Sequence, residues 1–454
     1  MPESNRIWGG RMVKKMDWRE DYERKFTTPD TVAQLVKSGD TIAFTAGREA
    51  HALGLTIAAR KEELTGVKVY ARVPGYDFGW YDKGWEDSFE MTLGFPTEVC
   101  QEMLDEKRAD FNVASFIPYE RDLWAEGVDL LLTEVSPPDD KGFCSFGSSL
   151  WNKKEQIRKA KIVAAEVNKN LIRTFGDNFI HVSEMDYFVE HLGTGGTAGQ
   201  GTLAGRYPKE PEPYMKDIVG YVSSLIRNGD VLQIGVGRTT EPLVNLGLLD
   251  GKEDIGWHSE ATPPGLIRLV REGVVNGKYK TIDQGKVVVT SIGGAPQEDM
   301  EWVNMNPLFW LKDVNYLESP ITLAQLNDLI CINNALAVDL SGQIASETIG
   351  MRIYSAAGGQ TAFAVGAYLS KGGRFVIVLP SAAKGGTLSR IVPNFPTGTQ
   401  VTVPKSLADY VVTEYGIAKL RGKTLRQRAE ELISVAAPQF RAELKREAKK
   451  LLWP

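Results

Sequence analysis

The chain states one pattern twice. "VAQLVKSGDTIAFTAGREAHAL" begins at Val32, and "VSSLIRNGDVLQIGVGRTTEPL" begins at Val222. At an offset of 190 residues, without gaps, Asp40 matches Asp230, Gly47 matches Gly237 and Arg48 matches Arg238. The same offset sets Gly66 of "ELTGVKVYA" on Gly256 of "KEDIGWHSE". Each copy reads as a helix, a turn at Ser/Asn-Gly-Asp, an apolar strand, a glycine-containing loop, a helix and a further strand. A looser echo carries "VDLLLTEVSPPDDKG", from Val128, onto "NDLICINNALAVDLSG", from Asn327, and "AKIVAAEVN" onto "GRFVIVLPS". Apolar strands that alternate with helical segments predict parallel pairing. The fold class is therefore α/β, with two similar domains from an internal duplication, each a largely parallel sheet flanked by helices.

At 454 residues the chain exceeds one average domain. The break is expected in "GTAGQGTLAGRYPKEPEPY", 196–214, which is rich in glycine and proline and lacks apolar periodicity. That gives domains at 1–205 and 215–454, with "TLRQRAEELISVAAPQFRAELKREAKKLL" forming amphipathic helices on the second. A net charge of −5 without a basic stripe argues against nucleic acid as a partner. Cys100, Cys144 and Cys331 lie too far apart to read as a disulfide framework or a zinc site, so reduced thiols in a cytoplasm are expected. The N-terminus has no apolar signal core and no run of about eighteen apolar residues occurs, so no membrane is expected as a partner either.

Open parallel sheets bind ligands beyond the C-terminal ends of their strands, and three such places stand out. In "LQIGVGRTTEP" a strand runs into Gly235, Val236 and Gly237, ahead of a helix opened by Thr240 and Pro242. Glycines there let backbone N–H groups face a ligand, although a lone G-x-G is equally a structural turn. In "GWHSEATPPG" Thr262 reads as an N-cap and Pro263 or Pro264 as a first helical residue. Glu260 would then stand just outside a helix whose dipole favours its ionised form, as a capping acid or as a nucleophile. At the ungapped offset the first copy carries Tyr70 there, so only the second copy has the carboxylate. His258, two residues before Glu260 on an extended segment, points the same way, as a ligand contact or a satisfied strand histidine. The third place joins "YSAAGGQTAF" to "SAAKGGTLSRIVP", where Lys384, Ser389 and Arg390 suit a phosphorylated, pantetheine-like ligand, or else decorate tight turns. His51, His181 and His191 show no metal-ligand spacing. Neither a P-loop nor a G-x-S-x-G elbow is present, so ATP-driven and serine-hydrolase chemistry are not indicated.

Taken in order, "SPPDDKGFCSFG", "AEVNKNLIRTFG", "LQIGVG", "GWHSE", "INNALAVDLSGQ", "AGGQTAF", "AAKGGTLSRIVP" and "VVTEYGIAKLRGK" resemble the acetyl-CoA hydrolase/transferase family of class I CoA-transferases. The resemblance covers most of the chain and is greatest to the 4-hydroxybutyrate CoA-transferase-like branch. It implies ping-pong transfer of CoA between carboxylic acids, with Glu260 attacking an acyl-CoA and then carrying CoA as a glutamyl thioester. It further implies that the N–H groups of Val236 and Gly359 form the oxyanion hole, and that Gly235, Val236, Gly237, Arg238, Thr239, Ser355, Gly359 and Lys384 bind CoA. His258, Glu318 and Gln360 are assigned to the substrate pocket. No permanently bound cofactor and no metal are implied: CoA enters as a substrate, acyl-CoA and a carboxylic acid are the partners, and a homodimer or homotetramer is the expected assembly.

Three places depart from the family pattern. Ala261 and Pro264 replace the usual Met and Asp after the glutamate, Ala362 replaces an Asp in Gly-Gly-Gln-x-Asp-Phe, and Glu318 falls where relatives often carry an asparagine. Loss of polar pocket walls should favour a bulky, cyclic or aromatic acyl group. The aromatic run "VPGYDFGWYDKGWEDSF", 73–89, either lines that pocket or covers the core. Two rival readings remain at this stage: an acyl-CoA hydrolase, in which water replaces the second acid, and a non-catalytic acyl-CoA-binding subunit, which substitution of Glu260 would leave unaffected.

Overall fold

A computed structural model describes residues 17–47, 49–113, 127–192, 210–293 and 295–452. Arg48 and residues 196–209 of the expected inter-domain break lie outside these ranges. The repeat is visible down to single hydrogen bonds. The Lys37 N–H donates to Asp40 Oδ2 at 2.8 Å, and the Arg227 N–H donates to Asp230 Oδ2 at 2.6 Å. Gly39 and Gly229 take φ of 83° and 81°, the left-handed residue that a side chain would strain. A buried strand follows each turn, Thr41–Phe44 and Val231–Ile234.

Each strand sits near the centre of a sheet. The first sheet runs Phe26–Thr27, Tyr187–Glu190, Ile162–Val167, Leu130–Val135, Thr41–Phe44, Val67–Ala71, Phe89–Leu93, Asp110–Phe111, parallel throughout. The second runs Gly416–Lys419, Tyr410–Thr413, Arg374–Val378, Leu329–Asn334, Val231–Ile234, Gly256–His258, Val287–Val289, Phe309–Leu311, Phe175–Gly176. Only its first pair is antiparallel. Seven strands, Tyr187–Glu190 to Asp110–Phe111 and Tyr410–Thr413 to Phe309–Leu311, follow the same spatial and chain order. The looser sequence echo therefore also marks equivalent strands, Leu130–Val135 with Leu329–Asn334 and Ile162–Val167 with Arg374–Val378. Leu130–Val135 is buried at every residue, because a parallel sheet is covered on both faces.

The halves interlock. Phe175–Gly176 comes from the first half in sequence but completes the edge of the second sheet. One apolar cluster spans both halves, from Ala43 and Leu131 to Leu232 and Trp257. Between them runs the segment 148–151. Leu150 N–H donates to Thr290 O at 2.8 Å, Ile292 N–H to Ser148 O at 2.7 Å, and Val314 N–H to Trp151 O at 3.3 Å. The C-terminal helices Leu425–Ser434 and Pro438–Leu452 bury Leu432, Ile433, Leu444 and Ala448 in the second-half core, and Thr424 with Gln427 forms a capping box on the first.

The aromatic run covers the core. Phe78, Trp80, Tyr81 and Phe89 are buried in the first-half cluster, with the rings of Phe78 and Trp80 4.8 Å apart. Tyr76 and Trp85 are partly exposed, and the Tyr76 ring lies 4.7 Å from His51. The three cysteines are free and buried. Among the described residues no helix is long and apolar enough to cross a membrane.

Candidate active site

Strand register corrects the sequence alignment at the position that matters. Thr41 pairs with Lys68, whereas Val231 pairs with Gly256, so the offset shrinks from 190 at the first strand to 188 at the second. A two-residue shift keeps every side chain on its face. The residue equivalent to Glu260 is therefore Arg72, not Tyr70. Backbone bonds beyond the strand ends agree: the Arg72 carbonyl accepts from Phe95 N–H at 2.6 Å, and the Glu260 carbonyl accepts from Ser291 N–H at 2.8 Å. An ungapped comparison cannot see this, because the deletion falls in the intervening loop.

Glu260 is placed by sheet, not by helix. The helix expected at Thr262 begins only at Leu266, with Gly265 as a left-handed N-cap that offers no side-chain bond. The Thr262 hydroxyl is instead bonded to Gly293, accepting from its N–H and donating to its carbonyl. Ala261 bridges Ser291 in parallel register, so residues 259–261 prolong the strand Gly256–His258. The preceding Ser259, fully buried, donates to Ile234 O at 3.1 Å and accepts from Ile234 N–H at 3.3 Å. That hydroxyl clamps the Glu260 segment to the strand that feeds the glycine loop. Sequence reasoning missed both Arg72 and Ser259, although Ser259 stands inside the quoted "GWHSE".

The glycine loop is shaped by two asparagines. A Cβ at Gly235 would meet the Asn333 amide, and one at Gly237 would stand 2.8 Å from Asn334 Cγ. Asn333 is locked in a reciprocal amide pair with Gln233, its Nδ2 donating at 2.8 Å. Val236 at the apex is exposed, and its N–H donates to no described residue. Arg238 is exposed and Thr239 partly so, beside it.

Glu260, Glu318, Gly359 and Arg72 converge at one place. Gly359 opens the helix Gln360–Leu369, and a Cβ there would run into Glu260 Oε1 and stand 2.7 Å from Glu318 Cδ. Only glycine admits both carboxyls. Burial holds the Glu260 pKa above its ordinary value, and Glu318, the Gly359 N–H and the Arg72 guanidinium offset only part of that rise. Glu318 is fully buried and is held well above the ordinary carboxyl range, by burial first and then by the charge of Glu260. Neither Glu318 oxygen meets an N–H or O–H donor among the described residues. Its remaining partner is Glu260, and two carboxyls share a hydrogen bond only when one holds the proton. Arg72 is itself buried, its Nη1 donating to Asn152 Oδ1 at 3.3 Å.

The remaining predicted residues fall at differing depths. His258 is fully buried and bonds Leu317 O through Nε2 at 2.9 Å, so it braces the Glu318 turn and does not line a pocket. Burial, with nearby Lys280, lowers its pKa to about 3, so it stays neutral. Gln360 is buried and spends its amide N–H on Asn334 O at 3.0 Å. Ser355 is partly exposed on the approach to Gly359, and its N–H is bonded to Glu347 O. Lys384 stands apart, exposed in the turn between Ala382–Ala383 and Leu388–Ser389.

The chain is similar to known proteins over nearly its whole length. The model of the acetyl-CoA hydrolase/transferase N-terminal domain matches residues 11–193, and that of the C-terminal domain matches 296–448. Glu260 falls between the two. The chain is 38% identical to the 4-hydroxybutyrate coenzyme A transferase of Clostridium kluyveri, over 96% of this chain and all of that one. It is 35% identical to the succinyl-CoA:cyclohexane-1-carboxylate CoA transferase of Geobacter metallireducens, over 96% and 98%. The crystal structure of RipA from Yersinia pestis superposes with a TM-score of 0.86 at 31% identity, covering 97% of this chain and all of that one. The paired parallel sheets are thus those of a CoA-transferase fold. The chain belongs to the acetyl-CoA hydrolase/transferase family.

Proposed function

We propose that this acyl-CoA:carboxylate CoA-transferase works by ping-pong chemistry through a glutamyl-CoA thioester on Glu260. One observation carries the reading: a carboxylate at a strand end, with a glycine N–H against it and a buried guanidinium behind it. Glu260 attacks the acyl-CoA carbonyl, the C–S bond breaks, and CoA leaves as thiolate from a mixed anhydride. The thiolate then attacks the Glu260 carbonyl, and the first acid departs as carboxylate. A second carboxylate reverses both steps, so the thioester energy stays in covalent form. The N–H groups of Val236 and Gly359 are assigned to the oxyanions. CoA contacts from Gly235 to Thr239, and at Ser355 and Lys384, supply remote binding energy for the reacting carbonyl.

The acyl group in this reading is bulky, cyclic or aromatic. The losses at Ala261, Pro264 and Ala362 support it, as does the relative named for cyclohexane-1-carboxylate. The buried aromatic run gives no support, since it is occupied with the core. Buried free thiols accord with a reducing, cytoplasmic setting.

The experiment is intact-protein mass spectrometry after incubation with a panel of acyl-CoAs and then borohydride. Reduction of a glutamyl thioester to the alcohol removes about 14 mass units, and the change should map to Glu260. Reduction with short linear acyl-CoAs alone would sink the bulky-acyl part. No reduction with any member would return the chain to the hydrolase and binding-subunit readings.

A further inference from the structure

Glu318 is the buried acid that the chemistry above leaves unused. It follows the short helix Val314–Leu317, and its N–H donates to Val314 O at 2.9 Å. The preceding carbonyl, of Leu317, accepts the His258 Nε2–H, and His258 lies two residues before Glu260. One buried hydrogen bond thus ties together the two segments that carry the carboxyls. Gly359 closes the third side and has no side chain to part them.

We infer that Glu318 is a positioning residue: a neutral carboxylic acid whose O–H donates to Glu260 and holds the nucleophile ionised and aimed. This rests on the reading of Glu260 as the nucleophile. The argument is one of charge. The groups facing Glu318 are Glu260 and Arg72. His258, behind the Leu317 carbonyl, is buried beside Lys280 and neutral. Asp313, at the other end of the helix, is turned to the Asn315 N–H. One guanidinium balances one carboxylate, so a second ionised carboxyl would leave a net negative charge out of water. Retaining one proton removes that charge and gives the Glu318–Glu260 contact a donor, which neither Glu318 oxygen finds elsewhere among the described residues. The pair then titrates as a unit in two steps. Below the first step Glu260 is protonated and cannot attack; above the second, Glu318 loses its proton and repels the nucleophile. Transfer is therefore confined between the two.

The test has two arms on the full chain. Infrared difference spectra of the substrate-free protein should show a protonated carboxyl at neutral pH, well above the ordinary glutamate value of about 4.3. Glu318→Gln should remove the part of that band that Glu49→Gln leaves, and Glu260→Gln should move that part to lower pH. A wild-type spectrum without the band, or one unchanged in Glu318→Gln, overturns the inference. The second arm measures CoA transfer from butyryl-CoA and from benzoyl-CoA to acetate across pH. Glu318→Gln keeps an N–H donor of the same size, so turnover should stay within about threefold of wild type while the alkaline fall disappears. Glu318→Ala should lower kcat by about 10- to 100-fold, the weight of a hydrogen bond to a charged group, with KM little changed. Equal losses in the Gln and Ala variants, or none in Ala, also overturn it. A band that behaves as expected, with no borohydride-sensitive thioester from any acyl-CoA, supports the pairing and overturns the nucleophile reading instead.

Discussion

Duplication made two strand ends equivalent, and they now carry opposite charges. Arg72 closes the strand Val67–Ala71 of the first half; Glu260 lies beyond Gly256–His258 in the second. The backbone around them is the same, down to the N–H groups that bond their carbonyls. The charge of the Arg72 guanidinium acts on the Glu260 carboxyl and favours its ionised form. One scaffold used twice therefore yields both partners of a charge pair at its own interface. A single copy would have left either charge buried alone, at a cost of about 3–5 kcal/mol.

The loops beyond the first strands differ in the same spirit. At the ungapped offset Glu49 stands in the first half where Thr239 stands in the second. Glu49 Oε2 accepts from the N–H groups of Gly75 at 2.8 Å and Tyr76 at 3.0 Å. An internal carboxylate thus occupies donors that point at a would-be anion. In the second half the Val236 N–H is left without a described partner. At the 188 offset the second half carries Pro263 and Pro264 in place of Gly75 and Tyr76, so it has neither the carboxylate nor the two N–H groups that bind it.

Four variants break or sharpen this contrast. Glu260→Ala removes the proposed nucleophile and should cost on the order of 10³-fold or more in kcat, read as CoA exchange into acid, with the melting temperature little changed. Arg72→Met should cost roughly 10²-fold, as misplacement of a reacting group does. Because Arg72 lowers the Glu260 pKa, its loss should also move the acid limb of kcat/KM to higher pH. An unmoved limb would show that the first half contributes no charge to the site. Glu49→Gln tests the filled loop through stability. Burial pushes the Glu49 carboxyl up from 4.5 to about 7, so its proton stabilises the fold below 4.5, and that contribution is lost as pH rises through about 7. The amide keeps the acceptor and has no proton to lose. The variant should match wild type in acid and exceed it above pH 7 by about 3 kcal/mol, as denaturant titration at both pH values would reveal. Tyr70→Phe should change transfer by less than about twofold, since register makes Tyr70 the equivalent of His258 and not of Glu260. A large loss there would restore the ungapped alignment.

Most of the scaffold was legible in the chain. The Gly-Asp turns, the apolar strands and the glycine loops are local signals, and each recurs at one offset, so the two parallel sheets and their strand ends could be read directly. Glu260 was legible for the same reason: it stands at a strand end among turn residues. The helix thought to hold it was misplaced, because Thr262 can cap a helix or bond Gly293, and only packing decides which. His258 points to the side expected, yet the surrounding fold buries it completely.

What the chain alone determined was the repeated α/β pattern, the family and the carboxylate at the strand end, since these rest on residue type and spacing along a few turns of backbone. What only the tertiary structure decided was the company that carboxylate keeps. Arg72, Glu318 and Gly359 reach Glu260 from elements 188, 58 and 99 residues away in the chain. Their effect depends on burial and on the charges that surround it, and neither exists until the two halves have closed on each other.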